Sequence, residues 1–383
     1  MRVSAGPTSD LVGAAEHVLA SWTASAVAST TGPDLGPIVL ATLVPDGEVP
    51  DEASRAWLRA GTRCRGGLGL FGGASGMLAG LRLVAGRRPC AERAAERAAA
   101  AIAATPCRWR AAAVGFDDYD VVGGPAGVVL AQLTGTQPVR REWLMPAVTH
   151  LVDLATSATG FRIGALAGHP LAGWAQGGVV TGLAHGVAGP LAALSVVVPR
   201  LPGDHRVTDA VHSLATWLAA QRFVDALDVA SWPERVPAPE HGGEVRRQGW
   251  CYGTPGVGWA LWAAGHALVR SGNPDGNLLC AAATEAMGTL CAAYDPDRHL
   301  DHDPLSVCHG AAGVLLVADA FARHAGLPAA AALREDLTGH LTGRLDEVTR
   351  LDAGLLTGAT GVLAALLTAA GGDRGWLSCL AMY

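Results

Sequence analysis

The sequence contains no lysine: all 28 basic residues are arginine, and 34 acidic residues leave a net charge of −6. No cluster of basic residues stands out, which argues against a dedicated nucleic-acid-binding protein, so we expect no nucleic-acid partner. Charged residues make up only 16% of the chain, against 50% hydrophobic residues. Disordered chains show the opposite balance, so we expect a folded protein with a large core.

The eight cysteines lack the close spacing of a disulfide framework, and no Cys-x-x-Cys motif is present. Asp10 and Glu16 interrupt any signal-peptide core. We therefore expect a cytoplasmic protein with reduced cysteines. The uncharged stretch 163–199 is long enough to cross a bilayer. Its many glycines and prolines favour a buried loop and helix instead, so we expect no membrane span.

Glycine is abundant, at 50 residues, and it recurs in a pattern. Gly-x-x-Gly followed by an apolar run appears six times, at Gly73, Gly124, Gly186, Gly253, Gly310 and Gly358. Each motif predicts a turn that leads into an apolar helix, because glycine permits unusual backbone angles and close approach of neighbouring elements. Amphipathic segments at 92–104, 208–222 and 333–350 predict longer helices between the motifs.

Strand patterns are sparse, whereas apolar and amphipathic helices alternate along the chain. This alternation predicts an all-α protein in which helix pairs close into an α/α toroid, a ring of inner helices inside a ring of outer ones. We expect a single domain over residues 1–383. The inner helices would all begin at one end, so that their glycine-rich starts line one rim of a central cavity.

Residues with chemical function directly precede three successive motifs. They are His185, the pair Cys251-Tyr252 and the pair Cys308-His309. The toroid would bring them together at the rim, despite their separation along the chain. Cys251, Cys308 and His309 are ligands that suit Zn(II), and three ligands leave a fourth position open. The alternative is a pair of buried thiols and a hydrogen-bonded histidine.

Each of the other candidates also has more than one interpretation. His185 is a fourth ligand, a general acid or base, or a structural histidine. Asp120 either takes part in the site at the rim, or is solvated or caps the following helix. Tyr252 either donates a hydrogen bond into the site or only packs against its neighbours. Arg247 either pairs with Asp120 or a substrate carboxylate, or is an exposed loop residue. For loop 299–303, with two histidines and two aspartates, a polar loop is favoured over a metal site.

Four segments resemble the signatures of the lanthionine synthetase C-like family. They are WCYGTPG at 250–256, SVCHG at 306–310, GLAHG at 182–186, and Tyr119-Asp120 ahead of Gly124. The resemblance extends over nearly the whole chain. It implies a toroid of seven inner and seven outer helices and one Zn(II) per chain, with Cys251, Cys308 and His309 as the ligands.

The resemblance also implies a set of acid–base and supporting residues, namely His185, Asp120, Arg247, Trp250 and Tyr252. Because only six glycine motifs are visible, we expect a degenerate seventh repeat near Trp376. Two segments depart from the family pattern. Val180-Thr181 stands where a polar, asparagine-containing stretch is expected, and Leu356-Thr357-Gly358 lacks an expected acidic residue.

Bacterial members of this family cyclise ribosomally made precursor peptides by adding cysteine thiols to dehydroalanine or dehydrobutyrine. The resemblance therefore implies a zinc-dependent cyclase that binds a dehydrated precursor peptide. The chain is too short to include a fused dehydratase, so we expect a separate dehydratase as partner. Two alternatives remain. One is an enzyme that adds glutathione to dehydrated residues, and the other is a non-catalytic, zinc-stabilised scaffold that carries a leader peptide.

Overall fold

The computed structural model describes residues 7–25, 33–61, 66–106, 109–238, 245–300 and 302–383. In this part of the chain, seven largely buried α-helices form an inner ring. They are α2 (Gly36–Leu43), α4 (Ala74–Ala85), α6 (Pro125–Leu133), α8 (Ala188–Val197), α10 (Gly253–Arg270), α13 (Ala311–His324) and α16 (Ala359–Ala369). Buried alanine, valine and leucine dominate their surfaces, because each inner helix contacts protein on almost every side.

Outer helices cover this ring, each with one buried face. They are α1 (Pro7–Ser25), α3 (Glu48–Gly61), α5 (Glu92–Ala104), α7 (Arg141–Thr156), α9 (His205–Ala219), α11 (Gly276–Ala293) and α14 (Pro328–Thr342), with the short α12 (Pro296–His299) and α15 (Leu345–Val348) in the connections. The helix predicted at 92–104 is confirmed. The one predicted at 208–222 begins and ends three residues earlier, and the segment 333–350 is divided between α14 and α15.

The ring closes through the two ends of the described chain. Each inner helix packs against the next, and α16 packs against α2, while α1 lies on the outside of α16. The predicted α/α toroid of seven inner and seven outer helices is therefore confirmed. The expectation that the seventh repeat lies near Trp376 is wrong, because α2 is the seventh inner helix. No Gly-x-x-Gly precedes α2, so the repeat pattern did not reveal it.

The segment around Trp376 packs inside the ring instead. Residues Gly375–Leu380 form a 3-10 helix that contacts α4 and α6. Two indole N–H groups of the α10 region hold the end of this segment. Trp250 donates to the carbonyl of Leu380 (2.8 Å) and Trp259 to that of Ala381 (3.2 Å). The C-terminal segment is therefore a core element of the toroid rather than one of its repeats.

Glycine recurs before the inner helices for a steric reason. The second glycine of each motif lies against the carbonyl oxygen of the residue six positions earlier. A Cβ atom there would come within 3.0 Å of that oxygen at Gly76, Gly127, Gly189, Gly256, Gly313 and Gly361. Only glycine allows the loop to fold back this closely over the first turn of its helix.

The loops that precede α4, α6, α8, α10, α13 and α16, here called the rim loops, bond to one another around the ring. In each case a backbone N–H of one loop donates to a backbone carbonyl of the next, at 2.9–3.2 Å. The donor and acceptor residues are Leu70 and Val122, Val121 and Ala184, Leu183 and Cys251, Cys251 and Cys308, and Cys308 and Leu356. The Asp34 carboxylate accepts from the N–H of Leu355 (2.7 Å) and extends this chain to α2. Equivalent positions of successive repeats therefore lie side by side at one rim.

The described strands are two short antiparallel pairs. β1 (Val179–Val180) pairs with β4 (Arg235–Val236), and β2 (Phe223–Val224) pairs with β3 (Ala230–Ser231). The Thr181 hydroxyl donates to the carbonyl of Pro233. This bond holds Val180-Thr181, the segment that differs from the family pattern, against the loop that leads to the rim. Within the described residues, no helix is both long and apolar enough to cross a membrane.

Candidate functional site

Three ligand-type side chains converge at the rim. The ligand atoms of Cys251, Cys308 and His309 all lie within 4.8 Å of one another. The rim-loop hydrogen bonds produce this convergence, since the N–H of Cys251 donates to the carbonyl of Cys308 (3.2 Å). The N–H of His309 donates to the Ser306 hydroxyl (3.1 Å), which fixes the turn that bears the imidazole. Two repeats thus contribute to one cluster, which we call the ligand cluster.

The chemistry of this cluster suits a metal ion. Both cysteines are free thiols, and Nδ1 of His309 is buried without a hydrogen-bond partner among the described residues. A buried imidazole nitrogen without a partner is costly unless something binds it. The hydrogen bond between the two thiols lowers the pKa of Cys308 and raises that of Cys251. Two sulfurs and one imidazole form a donor set for zinc, with a fourth position left for another ligand.

A histidine–aspartate pair lies beside the ligand cluster. Nδ1 of His185 is 2.6 Å from Oδ2 of Asp120, which is fully buried. The other carboxylate oxygen accepts the N–H groups of Gly123 (2.8 Å) and Gly124 (2.9 Å). The Asp120 carboxylate thus lies at the rim and binds the backbone just before α6, rather than an N–H group within the first turn of that helix. With Nδ1 engaged, Nε2 is the nitrogen of His185 that remains for another partner.

The surroundings of His185 favour its protonated form. Burial lowers its pKa, but the hydrogen bond and charge of Asp120 outweigh burial, and the pKa is raised. The negative charge of Cys308 acts in the same direction, which reflects how near the pair lies to the ligand cluster. The Phe116 ring packs on the imidazole at 4.9 Å between centroids, and the Tyr119 hydroxyl donates to the His185 carbonyl (2.9 Å).

Arg247 also lies by the ligand cluster, but of the alternatives considered for it the pairing with Asp120 is not formed. Nη2 of Arg247 is 3.5 Å from Oε1 of Glu234, and Asp120 is bonded to His185 instead. The charge of Arg247 acts on both Cys251 and His309. About half of its side chain is exposed, at 48%, so the guanidinium can meet a ligand that enters from solvent.

Tyr252 and Trp250 flank Cys251 but differ in role. The Tyr252 ring packs so closely on the GLAHG segment that a Cβ at Gly182 would lie 2.8 Å from it. Burial raises the pKa of Tyr252, so its hydroxyl is a neutral hydrogen-bond donor at neutral pH. Trp250 is fully buried, and its indole N–H donates to the C-terminal segment, so it links the rim to the interior of the ring.

Loop 299–303 lies near enough for the charge of Asp303 to act on His309, but its described residues add no ligand to the cluster. His299 is buried, its Nδ1 accepts the N–H of Asp295 (3.0 Å), and its ring stacks on Tyr294 at 5.6 Å. Asp301 lies outside the described residues. Among the described residues of this loop, no three side chains of ligand type converge as those of the ligand cluster do.

Sequence reasoning missed three side chains that shape the site: Phe116 on His185, Ser306 under His309 and Glu234 beside Arg247. Ser306 could have been identified from the sequence, because it belongs to the SVCHG segment. No local signal distinguishes Phe116 or Glu234 from other aromatic and acidic residues, since each meets its partner only through the folded loops.

Comparison with known proteins is consistent with this arrangement. A family model described as "Lanthionine synthetase C-like protein" matches residues 53–381. Among solved structures, the chain is similar to one titled "Nisin cyclase", with a TM-score of 0.78 and 16% sequence identity over 96% of each chain. No curated protein sequence matches. The structural likeness therefore concerns the ring fold, and the family match extends over every residue of the candidate site.

Proposed function

Since the chain belongs to the lanthionine synthetase C-like family, we propose that it is a zinc-dependent peptide cyclase. It would join cysteine thiols of a precursor peptide to dehydroalanine or dehydrobutyrine, which gives lanthionine or methyllanthionine thioether rings. The observation that carries this proposal is the placement of an open ligand cluster directly beside a histidine–aspartate pair at one rim.

Cys251, Cys308 and His309 would hold the zinc ion. Bound zinc would lower the pKa of a thiol in the open fourth position, so that the thiol is a thiolate at neutral pH. Without such help, a cysteine of ordinary pKa (about 8.5) is only a few per cent thiolate at that pH. The orphaned Nδ1 of His309 supports this assignment, because coordination to the metal would satisfy it.

His185 would supply the proton that completes the addition. When the thiolate attacks the β-carbon, the electron pair of the double bond moves toward the carbonyl and forms an enolate. The α-carbon must then take up a proton. His185 holds one at Nε2 in its charged form, and Asp120 stabilises that form and fixes the ring through Nδ1. The neutral imidazole left behind is reprotonated from solvent.

Arg247 and Tyr252 would position the peptide. The Arg247 guanidinium is half exposed beside the ligand cluster and presents several N–H donors to a peptide carbonyl or to the developing enolate oxygen. The Tyr252 hydroxyl offers a further neutral donor. The partial exposure of His185 and Arg247 suits a peptide substrate, since a reacting segment can enter from solvent while its ends stay outside.

The partners follow from the reaction. Dehydroalanine and dehydrobutyrine arise from serine and threonine by loss of water, so a separate dehydratase must act first. A dehydrated precursor peptide is then the substrate. Dehydration and cyclisation of a newly made peptide belong in the same compartment, and we propose the cytoplasm.

The test uses a dehydrated precursor peptide, taken from any short reading frame rich in Cys, Ser and Thr that is found beside the gene, or a synthetic peptide with dehydroalanine and cysteine. Ring formation leaves the mass unchanged but consumes a free thiol, so it is measured as lost labelling by N-ethylmaleimide. We expect zinc-dependent loss of labelling. A dehydrated peptide without cysteine, incubated with glutathione, is the parallel arm. A mass gain of one glutathione there alone would favour the glutathione-adding enzyme, and bound zinc without turnover in either arm would favour the scaffold.

A further inference from the structure

A cavity of about 390 Å³ lies at the rim next to the ligand cluster. Ser306, whose hydroxyl accepts the N–H of His309, is one of its lining residues. Thr357 is another, and it occupies in its own repeat the position that His309 occupies in the preceding one. The N–H of Cys308 donates to the carbonyl of Leu356 (2.9 Å), so these two rim loops lie side by side. We call this cavity the side pocket.

Part of the wall of the side pocket is apolar. Leu300, Leu305 and Leu351 contribute to it, and Leu351 is 38% exposed to solvent. Covering exposed apolar surface of this kind is favourable, so the wall suits an occupant with a hydrocarbon portion. The volume of the pocket is at the lower end of the range for ligand sites, which suits a single long side chain.

The charge of the wall is mainly negative. Three carboxylates line the pocket, those of Asp297, Asp303 and Glu347. Arg344, the one arginine among the lining residues that the structure describes, lies 4.0 Å from Glu347. Neither Asp297 nor Asp303 has an ion-pair partner within the described part of the chain. His340 adds no charge at neutral pH, since burial and the charge of Arg344 lower its pKa.

The negative charge extends from the side pocket to the candidate site. Asp303 is exposed, and it lies near enough to His309 for its charge to raise the pKa of that imidazole. Asp117, which is also exposed, acts on His185 in the same direction. The chain as a whole has a net charge of −6. A cationic segment is therefore attracted both to the protein and to this part of its rim.

A lysine or arginine side chain matches both parts of the wall. Its aliphatic stem can cover the leucines while its charged end reaches the carboxylates. An extended peptide advances about 3.3 Å per residue, so a side chain a few positions from a cysteine on the ligand cluster can reach the adjoining pocket.

We propose that the side pocket binds a lysine or arginine side chain of the precursor peptide, close in sequence to the reacting cysteine. Asp303 and Asp297 are then residues that determine substrate specificity, and the preferred substrate is a peptide with a basic residue near its cysteine. This inference rests on the proposed cyclase function, because that function supplies the peptide.

The test uses synthetic peptides with an acetylated N-terminus, one cysteine and one dehydroalanine. Each of the three positions on either side of the cysteine holds lysine in one peptide and glutamine in its counterpart. Loss of thiol labelling by the zinc-loaded protein gives kcat and KM. At one or more positions, we expect lysine to lower KM about fivefold with little change in kcat, because the ion pair adds binding and not chemistry. Added salt should reduce the difference.

Two variants locate the preference on the protein. Asp303→Asn removes the charge and keeps the shape, and asparagine also tolerates the positive φ of 56° at this position. Asp346→Asn is the matched control, because Asp346 is an exposed carboxylate of α15 that is not among the described lining residues. We expect the lysine preference to fall to about twofold or less in Asp303→Asn and to persist in the control. If Asp303→Asn does not fold, Asp297→Asn takes its place.

Binding of unreactive peptides, with alanine in place of dehydroalanine, separates this proposal from the cyclase assignment. Calorimetry should give a Kd with the same preference for lysine. That preference without turnover of any reactive peptide would uphold the side pocket and contradict the cyclase assignment. Equal KM and Kd for lysine and glutamine at every position, or no binding of any peptide, would overturn the side pocket. A preference that survives in Asp303→Asn, or that is lost equally in Asp346→Asn, would also overturn it.

Discussion

At the scale of single residues, the ligand cluster makes the most direct prediction. Replacing Cys308 by alanine removes one of three ligands, and we expect most of the zinc to be lost, because two ligands leave an incomplete shell. Cys291→Ala is the matched control, since Cys291 is a partly buried free thiol outside the cluster. Elemental analysis of purified protein measures the difference. Equal zinc in both variants would remove Cys308 from the site.

His185 is expected to act on the reaction rather than on the metal. We predict that His185→Asn keeps its zinc while cyclisation slows by about 10²–10⁴-fold, the usual contribution of a positioned proton donor. His212→Asn is the control, because His212 also lies near an aspartate, 3.1 Å from Asp275, on the outer surface. Metal content and thiol consumption are measured together. Loss of zinc from His185→Asn would make the residue a ligand instead.

Asp120 should determine the pH range in which His185 remains charged. The carboxylate raises the pKa of His185, so Asp120→Asn should lower that pKa. A proton donor is effective only below its pKa. As the pH rises, we therefore expect the cyclisation rate of the variant to start to fall at a lower pH than that of the wild type. A rate profile that is lowered but keeps its alkaline limb would show that Asp120 has only a structural role.

At the scale of elements, the glycine motifs make a steric prediction. A Cβ at Gly361, at the start of α16, would overlap the carbonyl oxygen of Leu355, so Gly361→Ala should lower the free energy of unfolding by about 1–3 kcal/mol. Gly339→Ala is the control, because Gly339 is inside α14 with open space around it. There, alanine should stabilise the helix by up to about 1 kcal/mol. Urea unfolding measures both, and opposite signs are expected.

At the scale of the whole molecule, stability should depend on the contacts that close the ring. Asp34 accepts N–H groups from Gly36 (2.7 Å) and from Leu355 (2.7 Å), which lie near opposite ends of the chain. Asp34→Ala removes both bonds, and we expect a loss of about 1–3 kcal/mol in the free energy of unfolding. Asp34→Asn keeps an acceptor oxygen and should lose less. If both variants were as stable as the wild type, α1, α2 and α16 would close the ring by packing alone.

Much of this fold could be predicted from the sequence, because each repeat carries its own local signal. The second glycine of a motif must fit under a carbonyl of its own rim loop, so the constraint is written within a few residues. The apolar stretch after each motif shows which helix is inner. Cys251 and Cys308 could be predicted to lie together because they occupy the same position of successive repeats, with His309 directly after Cys308, and the rim-loop hydrogen bonds align such positions.

Only the tertiary structure decided which side chains meet across the ring. Asp120 bonds to His185 and Arg247 to Glu234, and α2 rather than the Trp376 segment completes the inner ring. Spacing along the chain fixes a residue's place in its own repeat. The direction of its side chain toward other repeats depends on how the helices pack, and on how the ends of the chain close the ring.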